Sequence, residues 1–205
     1  MPESTGLDLT ESSRQLMARM RRWKKLRRTH ITHISDFKLE DFSVQKTEMK
    51  PHGLWYGFNE SWMDWCSGEM SHWLQPYIYE ILTDDSKILR ITNEQEMEAF
   101  ENEYHDVPDH VRNIYEVANG KKWRSIDDSD MYRFGRRSVN FIAWGRVAEK
   151  YGALEVVPYI WEKRLESMWY YGWDCASGCI WSKDVITDVK LIAAYDDKSD
   201  GFVRV

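Results

Sequence analysis

The chain has 205 residues and a mass of 24.5 kDa, with a formal net charge of −6. A chain of this length can bury one substantial hydrophobic core. Its 42% hydrophobic and 30% charged residues are typical of a soluble globular protein. The sequence contains no apolar run of about 18 residues and begins without the apolar core of a signal peptide. We therefore expect a cytoplasmic protein with no membrane partner.

Positive charge is concentrated at the N-terminus. Residues 1–30 contain eight Lys or Arg and three acidic residues, a net charge of +5, which leaves −11 for the remainder. Leu16, Met20 and Trp23 recur at helical spacing, which predicts a basic amphipathic helical arm over residues 1–28. Its polar face could contact nucleic-acid phosphates or pack on the acidic body. The candidate nucleic-acid-binding residues are Arg21, Arg22, Lys25 and Arg28.

Residues 29–205 are predicted to form a single α+β domain. Alternating β-branched residues and histidines predict a strand over residues 29–35, and the segment KPHGLWYG (50–57) predicts another. Tryptophans at helical spacing predict a helix over residues 60–74. Residues 77–82 and 87–92 are predicted to pair as a hairpin around a polar turn.

The second half of the chain shows fewer clear patterns. Asn93 and Glu96 form a capping box that predicts a helix ending near Tyr104. Residues 105–138 have the weakest pattern, and we expect either a mobile segment or a loop that faces a substrate. A helix over residues 139–152 should end at Gly152. Further strands are predicted at 153–157 and 185–195.

The three cysteines, Cys66, Cys175 and Cys179, are too few and odd in number for a disulfide framework. The spacing of Cys175 and Cys179 is not that of a usual zinc pair. We expect buried, reduced thiols and no metal site. The sequence also lacks the glycine-rich phosphate loops of kinases and dehydrogenases and the nucleophile elbow of α/β-hydrolases.

Three short motifs, taken in order, resemble those of the ADP-ribosyltransferase superfamily. They are Thr-His-Ile-Ser at 32–35, Gly-Leu-Trp-Tyr at 53–56 and Ala-Leu-Glu-Val-Val at 153–157. The resemblance covers about residues 29–160. It implies a split mixed β-sheet core flanked by helices, to which the N-terminal basic helix is appended.

The resemblance also implies NAD+ as the substrate that supplies ADP-ribose. Glu155 would be the catalytic residue, because its carboxylate could stabilise the positive ribose left when nicotinamide departs. The implied cofactor-binding residues are His33, Ser35, Gly53, Leu54 and Tyr56. Gly53 would permit close backbone approach, Tyr56 would stack on the nicotinamide, and Trp55 would point to the opposite face and pack in the core.

These features together predict a mono-ADP-ribosyltransferase, which is a glycosyltransferase, acting as a toxin or defence effector with a neutralising partner protein. Family members with protein targets carry Glu or Gln two residues before the catalytic Glu, where this chain has Ala153. That departure favours nucleic acid over protein as the acceptor. The alternatives are NAD+ hydrolysis without an acceptor, and a non-catalytic module whose aromatic groove binds a peptide or nucleic acid.

Overall fold

The structure is a computed structural model that describes residues 26–120, 122, 141–196, 198 and 201–205. In these ranges the chain is mixed α+β, with a large sheet flanked by helices. The strands are β1 (Arg28–Thr32), β2 (Thr47–Glu48), β3 (Leu54–Phe58), β4 (Tyr77–Thr83), β5 (Ile88–Ile91), β6 (His105–Asp106), β7 (Phe141–Ala143), β8 (Ala153–Val156), β9 (Ser177–Ile180), β10 (Ile186–Asp196) and β11 (Gly201–Arg204). The α-helices are α1 (Ser61–Glu69), α2 (Glu94–Tyr104), α3 (Asp109–Asn119) and α4 (Trp144–Ala148).

The large sheet has eight strands in the order β11-β10-β4-β1-β3-β9-β8-β5. Its neighbouring strands are antiparallel except for β5 and β8, which run parallel at one edge. A small sheet has the order β2-β7-β6. Across the described ranges, no helix has the length and apolar character needed to cross a bilayer.

The large sheet has two chemically different faces. Trp55 of β3 lies opposite Cys179 of β9, whereas the next residue, Tyr56, lies opposite Gly178. Glu155 of β8 also lies opposite Gly178. Because successive side chains of a strand point to opposite faces, Tyr56 and Glu155 share one face and Trp55 lies on the other. We call these the charged face and the tryptophan face.

Each face carries its own hydrophobic core. On the tryptophan face, α2 contributes Met97 and Phe100, which pack with Trp144 of α4 and with Trp169 from the segment between β8 and β9. On the charged face, the apolar side chains of the segment that follows β1 cover the sheet, among them Phe37. The polypeptide therefore buries both sides of its sheet with different segments, as a central sheet requires.

The predicted hairpin of residues 77–82 and 87–92 is wrong, although both strands exist. β4 pairs with β1 and β10, and β5 pairs with β8 at the far edge of the sheet. The linking residues form a 3₁₀ turn at Asp85–Lys87, which the side chain of Asp84 caps by accepting a hydrogen bond from the backbone N–H of Ser86. The turn leads from β4 to β5 past the four strands that lie between them in the sheet, instead of reversing the chain beside β4.

The predicted helix over residues 139–152 is also wrong in most of its length. Its described part begins as strand β7, and only Trp144–Ala148 is α-helical. Gly152 does not end that helix. A Cβ at Gly152 would lie 2.3 Å from Cγ2 of Val185, so this glycine permits close packing rather than a left-handed cap.

The predicted loop at 105–138 contains a helix that the sequence analysis missed, α3. Its signal was present in the sequence, because Val111, Ile114 and Ala118 recur at helical spacing between Pro108 and Gly120. The helix ends at Gly120, which has a φ of 63°. Residues 121 and 123–138 of that prediction lie outside the described residues.

Several local predictions are confirmed. The predicted helix at 60–74 is present in part, as α1 over Ser61–Glu69 followed by a separate 3₁₀ turn at Ser71–Trp73, and the predicted late strands are present as β8 and β10. Asn93 caps α2, because its Oδ1 accepts a 2.9 Å hydrogen bond from the Glu96 N–H. The Glu96 carboxylate reaches the N–H of Thr92 rather than that of Asn93, so the capping box is displaced by one residue. All three cysteines are buried and free.

Candidate functional site

The carboxylate of Glu155 lies at the centre of a buried ionic cluster on the charged face. Its side chain is 0% exposed. Oε1 accepts hydrogen bonds from Nε of Arg28 at 2.6 Å and from the hydroxyl of Tyr56 at 2.7 Å. Oε2 accepts a hydrogen bond from Nε of Arg90 at 2.5 Å. Both carboxylate oxygens of the predicted catalytic residue are thus held by protein donors.

Asp85 completes this cluster at its more exposed end. Nη2 of Arg28 lies 2.9 Å from Oδ1 of Asp85, and Nη2 of Arg90 lies 2.8 Å from Oδ2. Burial alone would lower the pKa of Arg28, but the facing Glu155 carboxylate reverses the direction and raises it. Two guanidinium groups and two carboxylates therefore balance each other in a half-buried site.

Tyr56 is part of the same cluster. Its side chain is 3% exposed, and its hydroxyl donates to Glu155. Burial and the neighbouring Glu155 carboxylate raise the pKa of Tyr56 well above its ordinary value. Gly178 makes room for the ring, because a Cβ there would lie 2.5 Å from the Tyr56 hydroxyl. The structure brings Tyr56 and Glu155 together, as the resemblance implies, but as bonded partners in the interior.

The other residues predicted to bind the cofactor do not gather around Glu155. The predicted strand over residues 29–35 ends at Thr32 in the structure, so His33 and Ser35 lie beyond β1 and are exposed. Leu54 is buried in the core of the charged face. A Cβ on Gly53 would lie 2.1 Å from the carbonyl oxygen of Ile180, so its close backbone neighbour is strand β9.

The predicted nucleic-acid-binding arm needs one correction. Arg28, assigned to the helical arm, is the first residue of β1, and its guanidinium binds Glu155 and Asp85. This basic residue is therefore part of the folded domain, where the buried carboxylate fixes its orientation. Arg21, Arg22 and Lys25 lie outside the described residues.

A second candidate site lies on the opposite, tryptophan face. It is a cavity of about 320 Å³ beside β1 and β3. Four tryptophans border it, one from β3, one from α1, one from the turn after α1 and one from the segment before β9. They are Trp55, Trp62, Trp73 and Trp173. The volume is at the lower end of the range for small-molecule pockets.

The indole rings form two groups. Trp55 and Trp173 meet edge to face, with ring centroids 4.9 Å apart. On the α1 side, Trp62 stacks on Trp65 with a centroid distance of 5.0 Å. The ring of Trp73 also stacks on Trp62, with a centroid distance of 6.1 Å. Trp173 is 1% exposed whereas Trp73 is 44% exposed, so the cavity runs from a buried end to an open one.

Few polar groups border this cavity. Nζ of Lys50 lies 5.2 Å from the ring centre of Trp55, at cation–π distance. Asp174 also borders the cavity, and its Oδ1 accepts a 3.1 Å hydrogen bond from Arg164. Nε1 of Trp173 is buried and has no hydrogen-bond partner within the described part of the chain. A buried indole N–H without an acceptor is unusual, because such groups normally find one.

Trp55 and Tyr56 lie on opposite faces of the sheet, as predicted, and both border the cavity. Trp55 packs against the core of the tryptophan face, as predicted, whereas Tyr56, expected to stack on the nicotinamide, is buried with its hydroxyl on Glu155. Sequence reasoning also missed Lys50 and Trp173 as site residues. The dense tryptophans and the proline and glycines around Lys50 were the available signals, but alternation alone does not tell which face is open.

Across the described ranges, no group of three or more His, Cys, Asp or Glu residues is placed to hold a metal ion. No protein-family model matches the chain, and searches of curated proteins and of solved structures gave no match.

Proposed function

We propose that the protein is a non-catalytic binding module whose tryptophan-lined cavity holds a flat aromatic ring. The observation that carries this proposal is the cavity bordered by four indoles. Stacking on aromatic side chains is the common way in which proteins hold nucleobases and other flat rings, and each such contact contributes about 1–3 kcal/mol. The open end near Trp73 gives a ring a route to the buried end.

The size of the cavity limits the ligand. A volume of about 320 Å³ suits one ring system with a short substituent. A ring on a larger molecule, such as a base of a nucleic acid or an aromatic side chain of a peptide, would enter alone and leave the rest of the molecule outside. Net negative charge over residues 29–205 disfavours extensive contact with a phosphate backbone.

A second candidate function, ADP-ribosyl transfer from NAD+, is favoured by the hydrogen bond between Tyr56 and Glu155. This hydrogen bond joins one residue from each of two motifs that resemble those of ADP-ribosyltransferases. For catalysis, the Glu155 carboxylate would have to leave Arg28 and Arg90 and reach the ribose of NAD+. The acceptor would be nucleic acid or protein, as the resemblance implies.

Isothermal titration calorimetry distinguishes the two functions. The purified chain would be titrated with adenosine, with indole-3-acetamide and with NAD+, and nicotinamide release would be measured in parallel. The binding module should take up the small flat rings and release no nicotinamide, and Trp62→Ala should weaken the uptake. Nicotinamide release by the wild-type chain, lost in Glu155→Asp, would instead support the transferase.

A further inference from the structure

We infer that the ligand of the tryptophan cavity is an anion, a flat ring that bears a carboxylate or a phosphate, and that Lys50 recognises this charge. The inference rests on the proposed function, because it names the chemical class of ligand for the same cavity. Two independent groups carry it: the ammonium of Lys50 and the buried N–H of Trp173.

Lys50 is held at the cavity without a carboxylate partner. Among the described residues, no Asp or Glu oxygen lies within ion-pair distance of its Nζ, and its polar head faces the Trp55 ring at 5.2 Å. A half-buried ammonium lacks part of its hydration, and a ring face replaces that hydration only in part. An anion in the cavity would supply the missing interaction.

Gly172 fixes the position of Lys50. A Cβ on Gly172 would lie 2.4 Å from Cε and 2.8 Å from Nζ of Lys50, so the lysine packs directly on this backbone. The tight contact leaves the ammonium at one place on the cavity wall. A fixed cation beside stacking rings can form a charge-assisted hydrogen bond with an acidic substituent of a flat ligand.

Trp173 supplies a second donor. Its Nε1 is buried and unpartnered among the described residues, and its ring is packed against that of Trp55. Two residues that border this part of the cavity thus carry donors without acceptors, Lys50 and Trp173, so its wall suits a carboxylate or phosphate oxygen better than a cationic or donor-rich ligand.

Within the described part of the chain, Asp174 is the one carboxylate that borders the cavity, and it does not cancel this preference. Its Oδ1 is bonded to Nη2 of Arg164, which offsets its charge. The neighbouring thiol of Cys175 stays neutral, because burial raises its pKa to about 11. Among the described residues that border the cavity, Lys50 is therefore the cation without an ion-pair partner, and Asp174 acts on it only from a longer distance.

The experiment compares matched neutral and anionic probes by isothermal titration calorimetry. Indole-3-acetamide and indole-3-acetate differ only in the charge of the substituent, and adenosine and its 5′-monophosphate provide the phosphate arm. We expect the wild-type chain to bind at least one anion about tenfold or more tightly than its neutral counterpart. The arm that shows the preference identifies carboxylate or phosphate.

Three variants test the assignment to Lys50. Lys50→Met should abolish the preference, so that neutral and anionic probes bind with the same affinity, and Lys50→Arg should retain the preference. Lys190→Met, which removes an exposed lysine paired with Asp188, is the control for net charge and should retain it. Gly172→Ala should reduce the preference by displacing Lys50, with circular dichroism to check folding.

The outcomes separate the two claims. Equal binding of neutral and anionic probes by the wild-type chain overturns the inference and leaves the binding module standing. A preference that persists in Lys50→Met overturns the role of Lys50. Failure of all four probes to bind rejects the binding module, and the inference with it.

Discussion

The hydroxyl of Tyr56 donates a 2.7 Å hydrogen bond to the carboxylate of Glu155, and both residues lie opposite Gly178 of the intervening strand. A hydroxyl thus crosses over a glycine to reach a carboxylate two strands away. With the guanidinium groups of Arg28 and Arg90, this contact makes the charged face one connected unit. Its residues should behave as a cluster in mutagenesis.

Glu155→Gln should destabilise the fold. The change leaves two partly buried guanidinium groups without their carboxylate, and breaking a buried ion pair in this way costs about 3–5 kcal/mol of the free energy of unfolding. Urea denaturation followed by circular dichroism measures it. The control is Glu103→Gln, in an exposed pair with Lys150, which should change stability little. A loss as small as that of the control would mean that the Glu155 carboxylate is hydrated and available for chemistry.

Gly178→Ala and Gly68→Ala should have opposite effects on stability. A Cβ at Gly178 would lie 2.5 Å from the Tyr56 hydroxyl and 2.9 Å from the carbonyl oxygen of Leu154, so the strand or the ring must shift. Gly68 lies in α1 with no atom within 4 Å of the added Cβ, and alanine there should stabilise the helix by about 0.5–1 kcal/mol. Thermal unfolding compares the pair. Equal melting temperatures of the two variants would show that the packing of Tyr56 on Gly178 is loose enough to admit a Cβ.

Removing a ring from the open side of the cavity should weaken ligand binding without unfolding the protein. Trp62 lies on α1 and is only half-buried, so Trp62→Ala removes stacking surface at modest structural cost. We expect a loss of about 1–3 kcal/mol in binding free energy by calorimetry. Trp161→Ala, at an exposed tryptophan that does not border the cavity, serves as the control. Identical affinities of the two variants would argue that the ring binds elsewhere.

The affinity for an anionic probe should fall with rising pH. Burial lowers the pKa of Lys50 below its ordinary value of 10.5, although Asp174 and then Cys179 oppose the shift. The protonated ammonium binds the anion, so affinity is full below that lowered pKa and is lost as pH rises through it. Lys50→Arg should retain affinity to higher pH, because a guanidinium stays charged. Titrations from about pH 7 to about pH 10 measure this.

Other titratable groups at the cavity do not produce the same profile. Burial lowers the pKa of His30, which is therefore neutral across that range. Burial raises the pKa of Cys175 to about 11 and that of Cys179 well above its ordinary value, so both thiols remain protonated. A profile that is unchanged in Lys50→Arg would therefore rule out Lys50 as the titrating group.

Sequence reasoning succeeded where the determinant of structure is local. The cap of α2 depends on residues three apart, and both Asn93 and Glu96 make capping contacts. The hairpin prediction failed because strand pairing is non-local: β5 pairs with a strand more than sixty residues later in the chain, and the pairing places Arg90 beside Glu155. No pattern within residues 77–92 encodes that partner.

The candidate site was partly predictable for the same reason. Alternation correctly separated Trp55 from Tyr56 onto opposite faces of the sheet. Which face is open depends on the segments that cover the sheet, and these are distant in sequence. The segment after β1 covers the charged face with residues such as Phe37, whereas the cavity remains beside β1 and β3 on the other face.

The position of Arg28 has a practical consequence for shortening the chain. Arg28 and Glu155 are 127 residues apart, so this contact ties the beginning of β1 to a strand from the last third of the protein. A shortened chain that begins after residue 28 would lose Arg28, which is one of the two arginines that bind the Glu155 carboxylate. Leu26 also packs against the core of the charged face, and Arg27 pairs with Glu80. Removal of the basic N-terminal segment should therefore spare residues 26–28 if binding and folding are to be measured separately.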